Sequence, residues 1–274
     1  MSILGVDIGG TQIKYGYFDK DLKVISSGEV LSDAKHGADK LLQNLFTLLD
    51  KFKFDYLGVS TAGVASEDGS IVYANQNIPN YTGVKLKQIL QNRYGAKVAV
   101  LNDIDAGAIG QYLESSDDDF YFIALGTGVG GAFVKNGKII KGESSFAGQV
   151  GYLPMPNGGI VDEVVSTRGL ENLSGISGKK VFSNAKNGDI SAKNSLDAWL
   201  DGLCYLIKMV VGFFSPKKIV IGGAVSAQGQ YLIDLINDKV KDFPMPYKNS
   251  FTVEVAKTGN LSAVLGAISV AIKE

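Results

Sequence analysis

Apolar and polar positions change period along this chain, and the changes mark out its elements. Ile3 to Ile8 is a short apolar run that ends at Gly9-Gly10. Gln12 to Asp19 alternates in the manner of a half-buried strand, and Asp19-Lys20-Asp21 offers a turn before Leu22 to Val30. Three antiparallel strands are predicted. The period then lengthens. Ala38, Leu41, Leu42, Leu45, Leu48, Leu49 and Phe52 recur at three-to-four spacing, the stripe of an amphipathic helix. Next come a strand at Tyr56–Thr61, a loop reaching Tyr81, a helix around Leu86–Tyr94, a strand at Lys97–Asp103 and a small-residue helix from Asp105 to Leu113.

At Phe120 the opening pattern restarts. Phe120 to Gly142 again reads as strand, glycine turn, strand, tight turn at Asn136-Gly137, strand. Set beside Ile3–Ile25 it looks like a degenerate repeat of one supersecondary unit, which makes repeats the first thing to settle. A long helix at Leu196–Phe214, a strand at Lys217–Gly223 and a final helix at Leu261–Ile272 complete the chain. The expected architecture is a duplicated α/β fold of two lobes with a cleft between them. Residues 1–113 form the smaller N-terminal lobe and 114–260 the larger one, with the helix within 261–274 packing back on the first. No Pro-rich or Gly/Ser-rich linker separates the halves, so they are expected to pack closely and hinge.

Composition narrows the function classes. The formal net charge of −1 leaves no global basic field for nucleic acid or an anionic membrane. The chain has one cysteine, Cys204, and one histidine, His36, which rules out an internal disulfide and a Cys/His zinc site. Both fit a reducing compartment. Met1–Gly10 shows no basic segment followed by an apolar run, so a cytoplasmic protein is expected. The most apolar stretch, Leu196–Phe214, is interrupted by Asp197, Asp201 and Lys208 and reads as a buried helix, not a membrane span. Glycine is the outlier: 34 of 274 residues, about 12% against a usual 7%. The glycines cluster in short turns, where backbone bends sharply or approaches a ligand.

Two of those turns carry candidate chemistry. In Asp7-Ile8-Gly9-Gly10-Thr11, successive glycines let backbone N–H groups converge on phosphate oxygens, and Thr11 adds a hydroxyl. Asp7 can hold Mg²⁺ through water, since that ion keeps much of its hydration shell. The second turn, Gly126-Thr127-Gly128-Val129-Gly130-Gly131, can clamp the same phosphates from the other lobe. It superficially matches a dinucleotide fingerprint, but that motif must open a helix, and this one leads into a hairpin. Asn102-Asp103 ends a strand and precedes a helix, the region where ligands bind in open α/β sheets. Asp103 there either accepts the proton of an attacking hydroxyl or caps the helix. Asp105 suits the capping role by position.

Taken in order, the motifs resemble those of the ROK family of bacterial sugar kinases, within the actin-like ATPase (ribonuclease H-like) fold. They are DIGGT at Asp7, GVSTAGV at Gly58, NIPNY at Asn77, LNDIDAGAIG at Leu101, GTGVGGAF at Gly126, AGQVGY at Ala147 and VIGGAVS at Val220. The resemblance spans nearly the whole chain. It implies transfer of the ATP γ-phosphoryl group to a sugar hydroxyl, commonly the 6-hydroxyl, with ATP and Mg²⁺ as cofactors. It makes Asp103 the general base, lines the sugar pocket with Gly63, Asn77 and Asn102, and sets Gly222 and Gly223 beside the adenosine. A small-molecule sugar is the expected partner, and family members are often homodimers.

The chain departs from the family at the zinc loop. Relatives carry Gly-Glu-x-Gly-His and zinc cysteines; here Gln149 and Tyr152 replace the glutamate and histidine, the cysteines are absent, and Glu163 falls where the last sugar-contacting glutamate is expected. A zinc-free variant follows. Gln149 can donate as well as accept. Tyr152 either offers a face to a sugar or aglycone, or packs into the space of the missing loop. Ala62-Gly63-Val64 also stands where the family has Pro-Gly-Pro. A tyrosine here resembles the branch that includes β-glucoside kinases, so a β-glucoside or glucose is the first expectation, with N-acetylmannosamine or fructose as alternatives. A non-catalytic sugar- and ATP-binding regulator is the alternative of another class. The family's repressors carry a helix-turn-helix domain ahead of the first strand, for which Ile3 leaves no room.

Overall fold

The computed structural model describes residues 1–117, 119–156, 158–244, 250–257 and 261–274. The first stretch runs β1 (Ile3–Ile8), β2 (Gln12–Phe18), β3 (Val24–Leu31), α1 (Ala38–Leu49), β4 (Tyr56–Thr61), the short pair β5 (Val64–Ala65) and β6 (Ile71–Tyr73), α2 (Leu86–Tyr94), β7 (Lys97–Asn102) and α3 (Asp103–Ser115). The second runs β8 (Phe120–Leu125), β9 (Val129–Lys135), β10 (Lys138–Ile139), α4 (Val161–Val165), α5 (Thr167–Ser174), α6 (Gly178–Lys186), α7 (Ile190–Phe214), β11 (Lys218–Gly222), α8 (Gln230–Val240), β12 (Thr252–Val255) and α9 (Ser262–Lys273). Two compact units result. The first takes residues 1–116, the excursion 141–146 and the C-terminal stretch with α9; the second takes 117–140 and 147–257.

Each unit holds a five-stranded sheet, ordered β3-β2-β1-β4-β7 in the first and β10-β9-β8-β11-β12 in the second. In both, the opening strand pairs antiparallel with the next strand and parallel with a later one. A further parallel strand, β7 or β12, closes each sheet. The repeat glimpsed at the glycine turns is therefore a repeat of whole sheets. The hairpin after the second turn forms as expected, with Asn136 and Gly137 both at positive φ (51° and 68°), as a two-residue I′-type turn requires.

The parallel strands are buried on both faces, which is why they read as nearly continuous apolar runs. On one face of the first sheet, Leu4, Val6 and Ile8 pack with Leu41, Leu45 and Leu48 of α1 and with Leu86 and Leu90 of α2. On the other face lies α9. Its Val264 and Ile268 pack with Ile3 and Phe18. It comes so near that a Cβ on Gly5 would stand 2.5 Å from Val264 Cγ1, and one on Gly58 would strike the backbone of Ala267 and Ile268. The second unit's core gathers Tyr121, Ile123, Leu170, Leu203, Ile207 and Ile221 around Trp199.

Several boundaries differ from expectation. Strand β7 stops at Asn102 because that residue caps α3, which starts at Asp103. The long helix begins at Ile190, where the Asp189 carboxylate accepts the Ala192 N–H at 2.7 Å. Helix α1 ends at Leu49, leaving Phe52 beyond it to pack against Tyr15 and Tyr17. Among the described residues, no helix is long and apolar enough to cross a membrane.

Candidate active site

In the first unit the candidate chemistry collects at the carboxyl ends of β1, β4 and β7. Parallel register sets Asp7 beside Ser60, and Ile8 and Thr61 beside each other and Asn102. Ser60 Oγ donates to Asp7 Oδ1 at 2.6 Å. The other Asp7 oxygen has no hydrogen bond among the described residues, and it and the Thr11 hydroxyl are hard oxygen donors of the kind suited to Mg²⁺ through water. In the turn itself, Gly9 N–H closes onto Gln12 O at 2.9 Å, while the N–H groups of Gly10 and Thr11 make no hydrogen bond among the described residues. Thr61 shares a 2.9 Å hydrogen bond with the buried Tyr81 hydroxyl. That contact and the Ala38 N–H to Pro79 O bond (2.9 Å) anchor the loop that carries Asn77. Asn77 lies exposed on this loop.

Asn102 organises the start of α3. Its Oδ1 accepts from Ile104 N at 3.0 Å and Asp105 N at 3.4 Å, and its Nδ2 donates to Gly63 O and to Asp103 Oδ1, both at 2.8 Å. The capping role thus belongs to Asn102, the residue ahead of the first turn, which reaches the N–H groups of both Ile104 and Asp105. Gly63 is drawn in by its carbonyl and adopts a positive φ of 97°. Asp103 Oδ1 accepts from Ile104 N–H at 2.9 Å. Burial, then the Asp7 charge, and more weakly Asp105, push its carboxyl up to about 7, against the bonds from Ile104 and Asn102 that favour the anion. A carboxylate so placed takes up a proton readily near neutral pH.

Asp105 does something else. Its Oδ2 lies 3.1 Å from Lys141 Nζ, in a pair with side chains 10% and 16% exposed. Burial raises the Asp105 pKa and Lys141 works against the rise. Lys141 comes from the excursion 141–146 and also donates to Ala65 O at 3.3 Å. Ser60 and Lys141 were not identified from the sequence, which carries no local signal for a partner 53 or 36 positions away.

In the second unit, the turn after β8 is braced from one elbow. Trp199 of α7, fully buried, donates Nε1–H to Val165 O (2.9 Å) and Ser166 O (3.1 Å), fixing the junction of α4 and α5. Asp162 on one side of that junction accepts Val129 N–H at 2.6 Å. On the other side, the Thr167 N–H and hydroxyl both bond Gly126 O, at 2.9 and 2.8 Å. Arg168 Nη2 donates to Thr127 O at 3.3 Å and stands 3.5 Å from Asp162 Oδ2. Gly128 O accepts from Gly126 N–H at 3.0 Å. The carbonyls of residues 126–128 are thereby all engaged, while the N–H groups of Thr127 and Gly128 make no hydrogen bond among the described residues. Gly130, read as part of the turn, instead lies buried inside β9 paired with Ala124. The turn proper is Gly126–Gly128.

The remaining candidates of this unit occupy other places. Gln149 precedes a single 3₁₀ turn, Val150–Tyr152, and its carboxamide has no hydrogen bond among the described residues. Tyr152 is 51% exposed, which does not fit a core-filling residue. Glu163 accepts Ile160 N–H at 3.2 Å at the start of α4. A side chain on Gly222 would meet the Phe122 ring, and Gly223 sits at φ 78° against the Leu125 backbone, so local packing demands both glycines. Among the described residues, no group of three or more His, Cys, Asp or Glu is arranged to hold a metal ion.

The sequence profile of the ROK family matches residues 3–274. The uncharacterized protein CPE0188 of Clostridium perfringens is 31% identical over 280 residues, covering 96% of this chain and 95% of its own. The N-acetylmannosamine kinase of Salmonella heidelberg is 27% identical, covering 97% of each chain. Among solved structures, a ROK family glucokinase from Streptomyces griseus in complex with glucose and AMPPNP matches with a TM-score of 0.82 at 22% identity, covering 100% of both chains. Such a likeness speaks for the fold, and the duplicated sheets are those of the actin-like ATPase fold.

Proposed function

Because the chain belongs to the ROK family, we propose that it transfers the terminal phosphoryl group of ATP to a hexose hydroxyl, with Asp103 as general base. The observation that supports this most directly is the setting of Asp103: a carboxyl at the end of β7, oriented by Asn102 and Ile104 N–H, with a proton affinity raised to about 7. Removing a hydroxyl proton as the phosphoryl group arrives contributes roughly 10²–10⁴ in rate. MgATP supplies the phosphoryl group. The N–H pairs of Gly10–Thr11 and Thr127–Gly128, without acceptors among the described residues, are suited to phosphate oxygens, and Asp7 is suited to the ion through water. Phosphoryl transfer rests on such positioning and charge stabilisation, with little covalent work for the protein.

For the acceptor we propose glucose or a β-glucoside at the 6-hydroxyl, with Gly63, Asn77, Asn102, Gln149, Tyr152 and Glu163 as the residues that meet it. The exposed Tyr152 and the Gln149 carboxamide, which has no hydrogen bond among the described residues, support a contact to sugar or aglycone. N-acetylmannosamine is a second reading, favoured by the name of the Salmonella relative. A reducing cytoplasm suits an ATP user whose one cysteine is a free, buried thiol.

A coupled ADP-release assay tests the reading, with MgATP and a panel of glucose, cellobiose, gentiobiose, fructose, mannose, N-acetylglucosamine and N-acetylmannosamine. Sugar-dependent turnover that collapses in Asp103→Asn supports the kinase and its base, and the preferred sugar selects between the two acceptors. Folded, ATP-binding protein that turns over no sugar would sink the reading in favour of a non-catalytic binder.

A further inference from the structure

We propose that Arg168 is a ligand for the nucleotide's phosphates, a cation held in reserve beside the turn at Gly126–Gly128. The inference rests on the reading of that turn as a phosphate site. Two things set Arg168 apart from an ordinary brace. Its known ties are long, 3.3 Å to Thr127 O and 3.5 Å to Asp162 Oδ2, and its side chain is 60% exposed. A guanidinium carries five N–H donors in a planar fork that matches phosphate oxygens.

The surroundings also leave room for a change of partner. Asp162 already spends Oδ1 on Val129 N–H at 2.6 Å, and Thr167 alone holds Gly126 O through two bonds of 2.8 and 2.9 Å. The turn therefore keeps its shape when the guanidinium leaves. The N–H groups of Thr127 and Gly128, which have no acceptor among the described residues, lie in the same turn as the carbonyl that Arg168 touches. The Gly128 N–H points away from the Thr127 carbonyl of its own trans peptide, so an anion seated on these groups draws the guanidinium off that carbonyl and around the turn. Arg168 then exchanges a carbonyl and a loosely held carboxylate for phosphate oxygens, which carry more charge and form the shorter, stronger kind of hydrogen bond. Its position at the second residue of α5 keeps the side chain rooted beside the turn, because the helix start is fixed by Ser166, whose Oγ accepts Gly169 N–H at 3.3 Å, and by Trp199.

The test is calorimetric titration of the full chain with ATP, tripolyphosphate and adenosine. Arg168→Met keeps the aliphatic stem and removes the charge. It is expected to weaken ATP and tripolyphosphate on the order of tenfold to a hundredfold, with adenosine unchanged; Arg168→Lys is expected to recover part of the loss. Asp162→Asn separates contact from bracing, since asparagine still accepts Val129 N–H but no longer competes for the guanidinium. Affinity for tripolyphosphate equal to or above wild type supports a phosphate ligand. A loss as large as that of Arg168→Met overturns it, because the ion pair was then only holding the turn. Gly128→Ala places a Cβ 2.6 Å from Asp162 Oδ1 and disturbs the turn directly. If Gly128→Ala loses tripolyphosphate binding and Arg168→Met does not, the turn stands and the role of Arg168 falls. If Gly128→Ala binds tripolyphosphate as wild type does, the phosphate-site reading itself falls, and the proposal with it.

Discussion

Replacing Lys141 with methionine isolates a single buried charge. Methionine keeps most of the lysine stem, so the change leaves Asp105, 10% exposed, without the cation that faces it at 3.1 Å. Removing one partner of a buried ion pair costs about 3–5 kcal/mol, a large share of a typical total of roughly 5–15 kcal/mol. The pH dependence follows from the direction of the shift. Burial already raises the Asp105 pKa above its ordinary 3.8 while Lys141 opposes the rise, so the substitution raises it further. A carboxyl whose folded pKa lies above its unfolded value gives up stability as pH climbs between the two, by about 1.4 kcal/mol per pH unit. The penalty of Lys141→Met, taken as the difference from wild type in urea unfolding, should therefore be small near pH 4.5 and reach several kcal/mol by pH 8. Adding Asp105→Asn should return most of the loss at pH 8, since no charge remains to be compensated. A single-variant cost below about 1 kcal/mol at pH 8, or an equal cost at pH 4.5, would refute the argument.

Other consequences can be checked alongside it. Asp103→Asn should lower kcat in the ADP-release assay by roughly 10²–10⁴ and leave ATP affinity unchanged. The kcat/KM profile of the wild type should fall on the acid side with an apparent pKa near the about 7 of Asp103, and Asp7→Asn should move that limb to lower pH by removing the nearby charge. Because the folded pKa of Asp103 is raised, its ionisation opposes folding above 3.8 until about 7; Asp103→Asn should gain on the order of 1–4 kcal/mol over wild type in urea at pH 8, and less at pH 4.5. Gly58→Ala puts a Cβ into the backbone of α9 at Ala267 and Ile268, and should cost about 1–3 kcal/mol or more by the same measurement.

What could be read from the chain alone follows the range of the interactions. The β1–β2–β3 meander, the two glycine turns and the type I′ hairpin were legible because alternation, glycine pairs and Asn-Gly are local signals. The α4–α6 segment was missed because its helices are short and their apolar stripes are brief, as at Val161 and Val165. The start of α7 was legible in principle, since Asp189 after Gly188 is a cap signal. Asp103 and Asn102 stood out by their place at a strand end, but the division of labour between Asn102, Asp103 and Asp105 did not. That division depends on Lys141 and on Gly63 O, both distant in sequence. The braces of the second turn, Asp162, Thr167 and Arg168, share this property, as they are recruited through one tryptophan on another helix.

The placement of α9 also bears on the order in which the protein can be made. The second unit is encoded almost without interruption, so its core can close while synthesis is still under way. The first unit is encoded from both ends of the chain. Until α9 emerges, Ile3 and Phe18 lack their cover, and α3 lacks the helix on which Ala106 and Gly110 rest through Gly266 and Ser262. The helix that begins with Asp103 is thus among the last elements to gain support, and a nascent chain interrupted before its final dozen residues carries its proposed base on an unfinished scaffold.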